Sequence, residues 1–358
     1  MTEATLELLK KLSELEAVPG HEEQVRSFIR GELEGLVEFD TDNLGSLICK
    51  KTGSVDEPRI MIPSHMDEIG FAVKDIDDTG CLRFSPLGGW LDQTLLAHRV
   101  KVKTRKGDLL GVIGCTPPHM MPKEKRKKLI KKKKMFIDVG AADREDAEKM
   151  GVRIGDPIVP LQTFERMHNE KYLLGKAWDD RVGCALMIEL IKELQNIEHP
   201  NTVYGVGTVQ EEVGTRGAET SADAVNPDFC LVIDVGIATD IPGIEGEPMV
   251  ELGGGPVLYM LDAGTISHLK FRDYVMELAE ENDIPLQLSL IEGGATDARA
   301  VQLHSRGVAS VMFGIPARYI HSHSGIIHAD DVDALRRLLL KLVRGMDTDR
   351  AAEVLEMG

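Results

Sequence analysis

Aromatic side chains are scarce in this chain, 4% of residues, and only Trp90 and Trp178 are tryptophans. Few rings are therefore on hand to stack on sugars or unpaired bases. Cysteine is thin as well. Cys49, Cys81, Cys115, Cys184 and Cys230 form no CxxC, which argues against a closed thiolate zinc site and reads as scattered reduced thiols in a cytoplasmic protein. No apolar run reaches the roughly 18–20 residues that span a bilayer, so no membrane partner is expected. Met1-Thr2-Glu3-Ala4 lacks a basic segment followed by an apolar one, so no secretory leader is expected. Positive charge is in deficit: 42 Lys and Arg face 59 Asp and Glu, a net charge of −17, which argues against broad binding to nucleic acid or anionic lipid. Against these shortages stand 358 residues, room for about two domains, and a 42% hydrophobic content that supplies an aliphatic core.

One stretch reverses the charge. Lys123–Lys134 reads KEKRKKLIKKKK, nine basic residues against Glu124. Such a run is either a nucleic-acid patch or something plainer, a solvated helix or loop or else a surface that pairs with an acidic neighbouring subunit. No aromatic residue interleaves the lysines, which favours the second reading.

Apolar periodicity predicts helices over 6–15 and 22–36, separated by Pro19-Gly20, then short strands at 44–48, 60–62 and 70–73. Between about 74 and 164 the texture becomes short Gly/Pro-punctuated strands such as RVKVKT, LLGVIG and DPIVP around the lysines. After residue 175 helices and strands alternate. A helix opened by Asp179-Asp180 carries Val182, Leu186, Leu190 and Leu194, and strands follow at 202–209 and 229–235. Then come a helix around 268–282, a strand at 286–291, a helix after Thr296, a strand at 308–313 and a Leu-striped helix near 332–343. Alternation of this kind predicts an α/β sheet between helices. The expected division is one α/β domain, residues 1–72 with 166–358, interrupted by a β-rich domain at 73–165.

Acids and histidines collect at strand ends. His65-Met66-Asp67-Glu68 follows one strand, Glu211-Glu212 another, Asp234 ends a third and His321 lies just past a fourth, while Asp179 opens its helix. Ligands of open α/β sheets bind beyond the carboxyl ends of the strands. A lone Asp there commonly caps a helix, but five such positions together are not what independent capping selects. Two histidines and three carboxylates suit Zn²⁺ or a neighbouring first-row metal. His65, Asp179, Glu212, Asp234 and His321 are enough for two cations sharing one carboxylate, with open positions for water. Adjacent Glu211 and Glu212 both reach such a site only if the backbone leaves the strand there, which Gly214 and Gly217 permit. Asp67 is placed to orient a ligand imidazole or a metal from behind.

HMDEIGF (65–71), GKAWDDRVGC (175–184), TVQEEVGTRGA (208–218), VIDVG (232–236), GGATDA (293–298) and RYIHS (318–322) together resemble metallopeptidase family forty-two, over nearly the whole chain. The resemblance implies a three-layer α/β/α catalytic domain with a mixed sheet and an inserted β-barrel-like dimerisation domain. It implies a metalloaminopeptidase acting on short peptides, with two divalent ions, zinc or cobalt, per subunit. Position by position, His65, Glu212, Asp234 and His321 are ligands, Asp179 bridges, and the peptide to Asp180 is cis. Glu211 is the general base and Asp67 the supporting carboxylate. The assembly implied is a dimer and, from dimers, a tetrahedral dodecamer. The chain departs from the family pattern at PGHEEQ (19–24), at HSGIIH (323–328) and at Arg299, where a small residue is common. None of these is a proposed ligand; all bear on the pocket. Among rivals, a glycoside hydrolase is disfavoured because adjacent glutamates are poorly placed to flank a glycosidic bond. A non-catalytic scaffold predicts a lost ligand or base, and none is lost. A carboxypeptidase or deacylase is set aside by the resemblance alone.

Overall fold

The computed structural model describes residues 1–246 and 249–356. Its larger part is an eleven-stranded mixed sheet whose centre is parallel: Thr202–Thr208, Arg59–His65, Phe229–Ile237 and Ala309–Arg318 lie side by side. Antiparallel strands extend it on both sides, Leu47–Thr52 and Glu38–Thr41 at one edge, Gly325–His328, Tyr172–Gly175 and Glu165–Arg166 at the other. The central strands read as near-continuous apolar runs because both faces are covered. In Phe229–Ile237, Phe229, Leu231, Ile233 and Val235 pack on one face, under the helices Glu3–Glu14, Trp178–Glu193, Leu269–Glu281 and Ala329–Gly345. Cys230 and Val232 face the other layer, beneath Arg216–Val225 and Ala298–Val301. This is the three-layer arrangement implied above.

The second part is a closed six-stranded barrel, in the order Gly70–Ile76, Leu82–Leu87, Phe136–Asp138, Gly107–Gly114, Arg99–Thr104, Pro157–Pro160. Phe71, Val100, Val102, Ile113, Ile137 and Ile158 fill it, each contributing about 1.5–3 kcal/mol by burial. The helix Arg144–Met150 interrupts the β texture, capped at its start by Asp143 and ended by Gly151 in the left-handed region. The lysine run forms short 3₁₀ turns on the surface, anchored where Lys132 Nζ donates to the Trp90 carbonyl (2.6 Å) and lies near Asp92. Among the described residues no helix is long and apolar enough to cross a membrane.

Several boundaries differ from the periodicity reading. The strand expected at 44–48 begins at Leu47, because the Asp42 carboxylate accepts from the N–H groups of Leu44, Gly45 and Ser46 and holds them in a turn. The helix Arg216–Val225 was not foreseen; its buried face is Gly217, Ala218, Ser221, Ala222 and Val225, too small to register as an apolar stripe. The edge strands Tyr172–Gly175 and Gly325–His328, four residues each, also escaped the pattern.

Candidate active site

Strand register brings the first two site residues together. Ile60 pairs with Phe229, so five residues on His65 and Asp234 stand level on neighbouring strands, with the same parity as Met61 and Cys230 and hence the same face. Asp179 enters from the start of Trp178–Glu193, where Asp179 and Asp180 are non-helical and the peptide between them is cis. His65 Nε2 lies 2.8 Å from Asp179 Oδ1. His321, at φ 53°, follows the Ala309–Arg318 strand, and its Nε2 lies 3.4 Å from Asp179 Oδ2 and 3.5 Å from Glu212 Oε2.

Two groups of donor atoms result, each lying within 4.8 Å of one another: His65, Asp179 and Asp234, and Asp179, Glu212 and His321. Asp179 is common to both. All five ligand candidates from the sequence are thus brought together.

The Glu pair is presented by a backbone that leaves the strand after Thr208. Gln210 and Thr215 take positive φ, and Gly214 sits at φ 121°. Gly217 returns so closely that a β-carbon on it would lie 2.5 Å from Val209 N. Asp67, fully buried, fixes this turn: its two oxygens accept from the N–H groups of Glu211 (3.0 Å) and Glu212 (3.1 Å). The His65 ring is oriented instead by the Asp67 main-chain carbonyl, 2.9 Å from Nδ1, with the carboxylate at 3.7 Å. The carboxylate placed by the sequence behind an imidazole therefore stands mainly behind the glutamates.

Electrostatics around the cluster call for cations. Burial, then the Asp179 charge, pushes Glu212 and Asp234 each up to about 8. Burial raises Glu211 well above the carboxylate range, with Asp297, Asp234 and Glu212 adding repulsion against the pull of His65. Burial alone would lower both histidines, yet Asp179 and the neighbouring acids hold His65 well above its ordinary value and His321 at about 9. Asp179 itself, which burial would raise, is held low by His321 and His65. Glu212 Oε1 and Asp180 Oδ2 are buried without a hydrogen-bond partner. Packed acids of this kind either take up protons or share positive ions, so the donor set fits divalent metal.

Other residues around the cluster were missed as site elements. Gly88 and Gly89, after the barrel strand Leu82–Leu87, press on it: β-carbons there would lie 3.0 Å from Glu212 Oε2 and 2.9 Å from His321 Nδ1. Their adjacency in the sequence was the available signal. Glu22 accepts from Gln210 N (3.1 Å), and Asp297 from Thr208 Oγ1 (2.5 Å). Behind the cluster Arg181, fully buried, donates to the carbonyls of Leu12, Leu15, Ala17 and Met66, while Lys176 pairs with Glu68 at 2.5 Å.

Residues 45–338 match the family model for M42 glutamyl aminopeptidases. The chain belongs to this family. It is 41% identical over 351 residues to the putative aminopeptidase FrvX of Escherichia coli, covering 97% of this chain and 96% of that one. It is 36% identical over 348 residues to the lysyl aminopeptidase of Pyrococcus furiosus, covering 95% and 98%. Among solved structures it resembles the TET aminopeptidase of a marine sediment Thaumarchaeota archaeon, with TM-score 0.96, 42% identity and 98% and 99% coverage. This M42 member is accordingly a peptidase, a hydrolase of peptide bonds. A family described by glutamate and a relative named for lysine differ in the charge of the residue released, so membership leaves this chain's selectivity to its own pocket.

Proposed function

We propose that this M42 enzyme is a metalloaminopeptidase that removes residues one at a time from the free N-terminus of short peptides, using two divalent cations, zinc or cobalt. The observation that carries this is the shared Asp179: one carboxylate common to two donor groups, with Glu211 beside them on a turn fixed by Asp67. His65, Asp179 and Asp234 would hold one ion, and Asp179, Glu212 and His321 the other. Bound ions of this kind supply Lewis acidity toward a water and a scissile carbonyl.

The chain's own groups do the rest. Glu211 accepts a proton from the attacking water and returns it to the leaving amine. Asp67 keeps the Glu211 carboxylate aimed by holding its backbone N–H, and a terminal amine seated near an ion or an uncommitted acid accounts for the restriction to an unblocked terminus. Self-association is part of the proposal: the barrel would mediate dimers, and dimers a tetrahedral dodecamer, a reading supported by the likeness to the TET1 peptidase of Pyrococcus horikoshii, which can assemble into a tetrahedron or a large octahedral shell. Cytoplasmic location is supported by five free cysteines.

Amino-acid release from short peptides with free and N-acetylated termini, on metal-stripped protein with Zn²⁺ or Co²⁺ restored, tests the reading. Release from free termini alone, and only with metal, is expected. Cleavage of blocked peptides moves the assignment to a deacylase or endopeptidase.

A further inference from the structure

The turn that presents Glu211 satisfies its backbone groups in two different ways. Its carbonyls are served from within. Gly217 N donates to the Val209 carbonyl (2.9 Å), Arg216 N to that of Gln210 (3.4 Å), and Gly214 N and Thr215 N to that of Glu211 (2.8 and 2.9 Å). The N–H groups of residues 210, 211 and 212 are served from outside, by carboxylates of distant segments. Asp67 takes the last two. The first goes to Glu22, 188 residues earlier in the chain.

Glu22 stands at the N-cap of the helix Glu23–Leu33, a place where Ser, Thr, Asp or Asn ordinarily closes the first turn. Its side chain makes no such cap bond. It is buried, 4% exposed, and its Oε1 accepts from Gly20 N at 2.7 Å and from Gln210 N at 3.1 Å. Burial, then repulsion from Asp67, pushes its pKa up to about 7. The helix start thus forgoes a cap and buries a carboxylate in order to reach the turn. Val25, Ile29 and Leu33, all fully buried, fix the helix behind it. What Glu22 holds is strained. Gln210 has φ 58°, a left-handed conformation that is costly for a residue with a side chain and persists only where neighbours over-determine it. Its own N–H is bonded to Glu22 and the next one to Asp67, so two carboxylates bracket this single residue.

We propose that Glu22 is a positioning residue for the reaction: by holding the Gln210 N–H it keeps Gln210 left-handed and so keeps the neighbouring Glu211 carboxylate aimed. This rests on the reading of Glu211 as general base and gives that base a second, remote support. Without Glu22 the peptide plane before Gln210 is free to rotate, Gln210 relaxes toward negative φ, and Glu211 moves with it. A small misplacement of a proton-transferring group is enough to slow the step it serves. The requirement is reach. A glutamate-length side chain spans from the helix start to the turn, and an aspartate, one methylene shorter, does not. Charge is secondary, because an amide oxygen accepts the same two N–H groups.

Two substitutions at one position separate reach from charge, read by steady-state kinetics on a short peptide and by bound metal per chain. Glu22→Gln keeps both length and acceptor and should hold kcat within about threefold of the wild type. Glu22→Asp supplies a better helix cap, so the chain should fold at least as well, but it does not reach Gln210. Its kcat should fall by about 10–100-fold with KM and metal content unchanged. A residue that only stabilised the helix would rank the two variants the other way. In a Glu211→Gln background, Glu22→Asp should cost no further rate, because the group it aims is already gone. Equal kcat for the Asp and Gln variants, or the same fractional loss with and without Glu211, overturns the proposal. Loss of metal from Glu22→Asp overturns it as well, since Glu22 would then be supporting the ligand Glu212. If Glu211→Gln alone leaves kcat intact, the general-base reading fails and this proposal with it. If Glu211→Gln is inactive and Glu22→Asp is not impaired, only the role of Glu22 falls.

Discussion

The barrel closes around Phe71, Val100, Ile113 and Ile137 and keeps its lysines on the outside, whereas the large sheet leads His65, Asp179, Glu212 and Asp234 into burial beside one another. In the barrel, burial and stability point the same way. At the sheet's carboxyl edge they oppose each other: acids sit where burial raises their proton affinity, and Ala177, Gln210, Thr215, Tyr319 and His321 take positive φ around them. The lesson is that the site is held by its surroundings. Arg181, Asp67 and the glycines at 88–89 fix a cluster in which His65 and His321 offset the Asp179 charge while Glu211, Glu212 and Asp234 repel one another.

Breaking the chemistry while keeping the scaffold gives the largest effect. Glu211→Gln should lower kcat by about 10²–10⁴-fold and leave metal content, read by mass spectrometry, as in the wild type. Loss of metal in that variant makes Glu211 a ligand. The supports come next. Arg181→Met strands the carbonyls of Leu12, Leu15, Ala17 and Met66 and should cost about 3–5 kcal/mol in urea unfolding. Ile137→Val in the barrel core should cost about 0.5–1.5 kcal/mol and leave kcat unchanged. Equal costs for the two would erase the contrast between the regions.

The smallest effect joins the two parts. Glu16 bonds Lys103 at 2.8 Å and also pairs with Lys101, both on the barrel strand Arg99–Thr104. Burial would raise Glu16, but the two lysines outweigh it and hold it below the ordinary glutamate value of 4.5. A carboxylate whose folded pKa is lowered binds its proton more readily when unfolded. Its contribution is therefore present above about pH 4.5 and lost as the pH falls below that value. Glu16→Gln should cost up to about 1 kcal/mol at pH 7, and the gap between wild type and variant should narrow as the pH falls below 4.5. A gap that stays constant as the pH falls means the pair works through packing instead of charge.

How much of this was legible beforehand depends on the distance over which a residue acts. His65 and Asp234 announce themselves, because each interrupts an apolar strand, His65 at its end and Asp234 three residues before its end, and the strand period fixes the face. The Glu211-Glu212 turn was readable from Gly214 and Gly217. The office of the Asp67 carboxylate was not, since the N–H groups it holds lie 144 and 145 residues away in the chain. Gly88 and Gly89 belong to the barrel by sequence and to the site by contact, which local patterns do not report. The same holds for Arg216–Val225, whose small buried residues form a packing face without an apolar stripe.

The central claim is the shared carboxylate, and cation stoichiometry tests it without reference to turnover. Metal bound per chain would be measured by mass spectrometry after dialysis against Zn²⁺, for the wild type and for Asp234→Asn, Glu212→Gln and Asp179→Asn. The account predicts two ions in the wild type, one in each of the first two variants, and neither held in Asp179→Asn. A wild type that binds one ion, or an Asp179→Asn variant that keeps two, contradicts it.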